Sequence, residues 1–199
     1  MKSSLNIWLP LLAFVSCTAC SDERPPEVPA KEIVARVYEI DTWKPIEGAL
    51  VLVNYTGARG PHAATACNQS EVYTTDARGE VRFVSGDRYG AAVVAGALKD
   101  GYVWARHVYE GQDPSVLVPL TDRLLRRAAN KEEWLDELRR LSAQWCGGPA
   151  IATSGAKAWY ERILQLRLEA GAPPGDVKKA ESMLESVKST QEASQRKVK

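Results

Sequence analysis

The sequence predicts an α+β fold, an antiparallel β-sandwich of about seven short strands followed by two or three amphipathic α-helices. Three observations lead there. Between Ile33 and Leu120, short runs rich in β-branched and aromatic residues recur between turn signals at Asp41–Pro45, Asp76–Gly79, Lys99–Gly101 and Gly111–Pro114. After Thr121 the apolar period lengthens to that of a helix. Hydrophobic residues make up 45% of the 199, enough for one core with an extension.

Residues 1–20 read as an export signal. Lys2 supplies the positive start, Leu5–Val15 is a short apolar run, and Ser16-Cys17-Thr18-Ala19-Cys20 follows. The run is too short for a stop-transfer helix. The segment resembles the lipobox of bacterial lipoproteins, in which a small residue precedes a lipidated cysteine. Cys20, preceded by Ala19, is the expected anchor and Cys17, preceded by Ser16, the alternative. With Ser21 after Cys20, that resemblance implies an outer-membrane lipoprotein facing the periplasm. Residues 21–30, with Pro25, Pro26 and Pro29 among charges, form an extended tether.

The sandwich is expected over 31–120. Ile33–Ile40 is the first strand. Ala49, Val51, Val53 and Tyr55 alternate with Leu50 and Leu52, so the second strand is buried on both faces at its centre. Gly57–Ala66 is a Gly/Pro/Ala loop. Glu71–Thr75 and Glu80–Val84 flank Asp76-Ala77-Arg78-Gly79 as a hairpin, Gly79 taking a positive φ. Tyr89–Leu98, Tyr102–Tyr109 and Val116–Leu120 complete the set.

The helical extension spans 121–188. Leu124 and Leu125 open a short helical turn. Asn130 caps a helix whose Glu133 reaches back, and Trp134, Leu135, Leu138 and Leu141 share one face. Gly147-Gly148-Pro149 ends it. Ser154 caps a second helix with Trp159, Ile163 and Leu166 inward and Tyr160 and Leu164 flanking. After Pro173-Pro174-Gly175, the residues Val177, Ala180, Met183, Leu184 and Val187 fit a third, which packs on the rest or docks on a partner. Residues 189–199 are polar and basic, a disordered tail.

Cys67 and Cys146 remain in the folded part. In an oxidising compartment two such cysteines pair, closing a loop of about 80 residues with up to roughly 4.5 kcal/mol of stabilisation; separate thiols are the rival reading. His62 and His107 are the only histidines and make no zinc spacing with Cys67, so no metal and no cofactor is expected. Asp41, Asp76, Asp100 and Asp113 sit beside turns, where they bond local amides. Arg123, Arg126, Arg127, Arg139 and Arg140 are interspersed with Glu132, Glu133, Asp136 and Glu137 and read as an ion-paired face. The triplets at Asn54 and Asn68 fit the glycosylation pattern, which a bacterial lipoprotein does not use. A formal charge of +1 gives no electrostatic case for nucleic acid.

Thr42-Trp43-Lys44-Pro45-Ile46-Glu47-Gly48-Ala49-Leu50-Val51 resembles the T-G-x-P-I-x-G-A-x-V segment of carboxypeptidase regulatory-like domains. Thr75–Phe83 resembles their T-D-x-x-G-x-F-x-F hairpin, and Lys99-Asp100-Gly101-Tyr102 their K-x-G-Y turn. The resemblance covers about 31–120 and implies a transthyretin-like sandwich without catalytic residues, serving binding or stability. Trp43 replaces the usual Gly, Ala35 an early Gly, and Val81 the first aromatic of the hairpin.

No catalytic residue is expected. Trp43 and Trp104 are the candidate binding surface, since Trp134 and Trp159 belong to helix cores. The expected protein is a non-enzymatic, lipid-anchored envelope protein that binds another envelope protein, as assembly accessory or inhibitor. The alternative is a carbohydrate- or peptidoglycan-binding lipoprotein.

Overall fold

Alternation along the strands decides which side chains enter the core, and here it builds two cores. The computed structural model describes residues 30–58, 65–86, 91–105, 121–143 and 154–196. Within them lie β1 (Lys31–Glu39), β2 (Leu50–Ala58), β3 (Thr65–Thr74), β4 (Glu80–Ser85), β5 (Ala91–Leu98), β6 (Tyr102–Trp104) and β7 (Arg123–Arg127), then α1 (Lys131–Ser142), α2 (Ser154–Glu169) and α3 (Pro174–Arg196). One sheet has the order β4-β1-β7-β6 and the other β3-β2-β5. All pairs are antiparallel except β1 with β7, which is parallel.

The first core lies between the sheets. Ala35 and Val37 of β1, Val51, Val53 and Tyr55 of β2, Val81 and Phe83 of β4, Val94 and Ala97 of β5, and Leu125 of β7 meet there. The opposite face of β2 contributes Leu52 to a second core with Leu98, Val103 and the apolar stripes of α1 and α2. Burial of β2 on both faces is therefore as its sequence requires, and the molecule has three layers: sheet, sheet, helices. Trp159, Leu138, Leu141, Ile163 and Leu166 are essentially water-free, each stabilising by about 1.5–3 kcal/mol. Gly155 lets α2 begin directly against β3: a Cβ there would lie 2.8 Å from the Val72 amide. α3 packs on α2 through Ala180, Leu184 and Val187 against Ala156 and Tyr160.

Four expectations are corrected. Arg123–Arg127 is a strand, not a helical turn, so the sandwich ends at 127 rather than 120. Its Arg and Leu residues favour helix intrinsically, but pairing with both β1 and β6 outweighs that preference. Asp76–Gly79 is not a hairpin, because β3 and β4 lie in different sheets; it is an arch that carries the chain between them. Gly57, Ala58, Thr65 and Ala66 belong to strands rather than to a loop. The tail is helical to Arg196, propagated beyond Val187 by local pairs, Lys188 with Glu185 and Arg196 with Glu192.

The segments 1–20 and 21–30 up to residue 29, with Cys17 and Cys20, lie outside the described residues, as do His62, His107, Val116–Leu120 and Cys146. Cys67 is placed on β3 opposite Thr56, with only its backbone described. No described helix is long and apolar enough to cross a membrane.

Candidate functional site

The chain leaves β1 through a tight hairpin, Ile40–Trp43, closed by Glu39 N–H to Lys44 O at 2.9 Å and Trp43 N–H to Glu39 O at 2.8 Å. Such hairpins end on a left-handed residue, normally Gly or Asn. Here it is Trp43, with φ 54°, the only non-glycine residue of positive φ among the described residues. That conformation costs a bulky residue about 1–2 kcal/mol. Trp43 is 50% exposed, and its ring leans on Tyr38, centroids 6.4 Å apart and planes tilted by 54°.

This turn is braced from below. Val37 N–H donates to Gly79 O and Ile46 N–H to Val37 O, both at 2.9 Å. Thr75 ties the next segment: its hydroxyl donates to Ile46 O at 2.7 Å and accepts from Ala49 N–H at 2.8 Å. Asp76 holds the arch by accepting from the amides of Arg78 and Glu80, both 2.9 Å, and those bonds, the one from Glu80 foremost, hold its carboxyl below the usual range. The structure thus gives Asp76 the turn-making role expected of it.

Beside the hairpin opens a groove of about 260 Å³ lined by Glu39, Lys44, Pro45, Ile46, Glu47, Lys99 and Tyr102. The Glu39 carboxylate is oriented by the Thr42 hydroxyl at 2.7 Å and, weakly, by the Tyr102 phenol at 3.4 Å. Lys99 Nζ donates to Glu47 O at 2.6 Å.

Trp104 has a different fate from Trp43. It is half-buried against the inter-sheet core, with the Arg140 and Arg123 guanidinium groups 4.8 and 5.8 Å from its ring. Its amide donates to Glu137 Oε1 at 3.3 Å. The adjoining groove, about 350 Å³, is lined by ion pairs: Arg126 with Glu133, and Arg140 with Glu137. Glu133 is the capping residue expected of it, although it reaches the Ala129 amide and Arg126 rather than Asn130; Asn130 Oδ1 accepts from Glu133 N–H at 2.9 Å. The grooves beside Trp104 and Trp43 share no lining residue, so the structure does not join the two tryptophans in one site. Trp104 fastens the helical layer to the sheet.

The five arginines do not form one ion-paired helix face: Arg139 and Arg140 on α1 and Arg126 on β7 are ion-paired, with Asp176, Glu137 and Glu133, whereas on β7 Arg127 stacks over Tyr102 at 4.1 Å and Arg123 donates to Val94 O. Asn54 is buried and accepts from Ser70 Oγ at 2.8 Å, so its triplet is not a surface acceptor. At one end of the inter-sheet core, Tyr73 OH donates to Glu71 and bonds Tyr55 OH at 2.9 Å; burial, then those bonds, raise the Tyr73 phenol well above its usual range, which keeps it a neutral donor. Among the described residues, no three His, Cys, Asp or Glu side chains are grouped to hold a metal.

Sequence reasoning missed Arg167. It is 2% exposed between all three helices, donating to Asp176 O at 2.7 Å, Ser142 Oγ at 2.8 Å and Leu138 O at 3.2 Å, while its Nε has no partner. Burial lowers its pKa. Its place on the inner side of α2 next to Leu166 was the available signal.

No protein-family model, curated protein or solved structure matches the chain.

Proposed function

We propose that this is a non-enzymatic, lipid-anchored protein of the bacterial envelope, held by Cys20 (Cys17 in the alternative register) at the outer membrane facing the periplasm, that binds another envelope protein as an assembly accessory or inhibitor. One observation carries the binding reading: Trp43, an exposed indole on a braced turn at the opposite end of β1 from the tether. β1 runs from Lys31, where the tether joins, to Glu39, about 25–30 Å away. The hairpin therefore lies at the end of β1 remote from Lys31. A rigid turn loses little entropy on docking, and a buried tryptophan is a common centre of binding energy.

The sandwich is read as a carboxypeptidase regulatory-like domain of transthyretin-like type. Gly48, Gly79 and Gly101, the turn glycines of the three resembling segments, all have positive φ, which supports that reading. The Cys67–Cys146 disulfide belongs to the same proposal.

Metabolic labelling with palmitate tests the anchor: loss of label in Cys20→Ala, with retention in Cys17→Ala, is expected, and the reverse selects the other register. Cross-linked capture from intact envelopes tests the partner. One protein at stoichiometric yield, lost with Trp43→Gly, is expected; capture indifferent to that change refutes the role of the hairpin.

A further inference from the structure

A third groove, about 410 Å³, opens where three elements meet. The turn between β5 and β6 brings Asp100, the first turn of α1 brings Lys131 and Trp134, and the end of α2 brings Leu166, Glu169 and Ala170. Its size falls within the usual range for small ligands, roughly 300–1,000 Å³. Lys131 and Trp134 are three residues apart and share one face of α1; Leu166, Glu169 and Ala170, three and four apart, share one face at the end of α2. The Lys131 ammonium reaches across to α2, 3.2 Å from where a Cβ on Gly171 would lie.

Charges of both signs line this groove without pairing with each other. In the groove beside Trp104 they neutralise one another directly, Arg126 with Glu133 and Arg140 with Glu137. Here the side chains of Asp100 and Lys131 make no ion pair or hydrogen bond among the described residues. Glu169 accepts from Gln165 Nε2 at 2.7 Å and lies 4.0 Å from Arg162 through the same Oε1, which leaves Oε2 uncommitted. These charges are not placed by the stability of their own helices. Lys131, a cation, opens α1 and Glu169, an anion, closes α2, each against its helix dipole.

Trp134 adds a donor to the apolar floor. It is 7% exposed, and its indole N–H has no acceptor among the described residues, whereas the Trp159 N–H donates to Leu141 O at 3.4 Å. Arg167 Nε is the one sealed side-chain nitrogen or oxygen without a partner among those residues, so the Trp134 N–H is open to solvent, and Trp134 lines this groove. Beside it Leu166 and Ala170 supply apolar surface. A ligand of one charge would face the opposing sign unmatched. A small zwitterion satisfies both, with its apolar part on the floor.

We infer that this groove binds a free α-amino acid with an apolar side chain. Its carboxylate accepts from Lys131 Nζ and the Trp134 N–H, its ammonium donates to Asp100 and Glu169, and its side chain lies on Leu166 and Ala170. The site uses neither Trp43 nor Trp104, and it is independent of the protein partner proposed above.

Calorimetric titration of the full-length protein with L-leucine, in detergent and an amine-free buffer, tests it. Saturable heat is expected. L-leucinamide, which lacks the carboxylate, and isocaproate, which lacks the ammonium, should bind at least about tenfold more weakly. Asp100→Asn and Lys131→Met should each weaken L-leucine several-fold, and both side chains are exposed and engage nothing else among the described residues, so these variants keep the fold. Trp134→Phe keeps an aromatic ring and removes the N–H; a several-fold loss at an unchanged urea midpoint is expected. No saturable heat at millimolar L-leucine, equal binding of either one-charge analogue, or binding undiminished in both Asp100→Asn and Lys131→Met overturns the inference.

Discussion

Replacing Arg167 by methionine and by alanine separates the volume of that side chain from its charge. The guanidinium makes three hydrogen bonds, yet each acceptor keeps another use. Leu138 O lies within α1 and also accepts from Ser142 Oγ at 2.7 Å, the Ser142 hydroxyl is satisfied by that same bond, and Asp176 O lies within the first turns of α3. Removing the charge therefore strands no polar group. Against three lost bonds, each worth about 0.5–1.5 kcal/mol net, stands release from burying a cation whose Nε has no partner, a cost of several kcal/mol. Methionine nearly fills the space, and Arg167→Met is expected to lie within about 1 kcal/mol of the parent. Arg167→Ala leaves a void among the three helices and should cost about 2–5 kcal/mol. Urea unfolding of the full chain, followed by far-ultraviolet circular dichroism at neutral pH, reads both. Equal and large losses in the two variants would refute the reasoning and make the hydrogen bonds, rather than the packed volume, the source of the clamp.

Two glycines should respond oppositely to alanine. At Gly79, with φ 70°, a Cβ would lie 2.6 Å from Val37 O, and that carbonyl belongs to a strand and cannot yield; a loss of at least about 3 kcal/mol is expected, and a smaller one would show the arch to be soft. At Gly175 in the first turn of α3 nothing lies within 4 Å, so alanine should raise stability by about 0.5–1 kcal/mol in the same urea assay. Acid should destabilise the fold. Glu80, paired first with Arg36 and then with Arg78 and Arg82, and Asp176, bonded to Arg139, have folded pKa values below their unfolded ones. Their contribution is complete above the unfolded value of about 4 and disappears as pH falls through the folded one. Asp122 has the opposite sign, because burial raises its pKa; its ionised form opposes folding at neutral pH. Asp122→Asn retains an acceptor for the Arg36 amide and should raise the urea midpoint at neutral pH, with no gain at about pH 3. A lower midpoint at neutral pH would show that the charge is used.

The legible parts of the fold were those fixed by local chemistry. Gly48, Gly79 and Gly101 mark turns because only glycine takes their φ cheaply, and Asn130 marks a helix start because its side chain reaches an unpaired amide. The helical stripes of α1 and α2 were legible through their period. What could not be read was set by partners distant in sequence. Nothing local distinguishes the arch at Asp76–Gly79 from a hairpin, since the difference lies in whether β4 finds β3 or β1. Arg123–Arg127 becomes a strand only because β1 and β6 flank it. At the site, Trp43 was legible as a turn residue in place of glycine. Trp104 looked equivalent, because the guanidinium groups that cover it come from β7 and α1.

Among the described residues, several outward groups of the edge strands are engaged within the chain. The outward amide of Trp104 on β6 is taken by Glu137, and that of Tyr102 by Lys99 O. On β5, Ala92 N–H donates to Ser85 Oγ and Val94 O accepts from Arg123. The start of α2 lies against β3, and a ladder of Glu32, Arg82, Glu80 and Arg36 crosses between β1 and β4. Outward groups engaged in this way make an edge a poorer template for a further strand. The hairpin at Trp43 departs from this economy. Glycine would satisfy its backbone without strain, and inside the fold the indole gains little beyond one tilted contact with Tyr38. The strain at Trp43 and its half-exposed ring are therefore not accounted for by packing inside the fold.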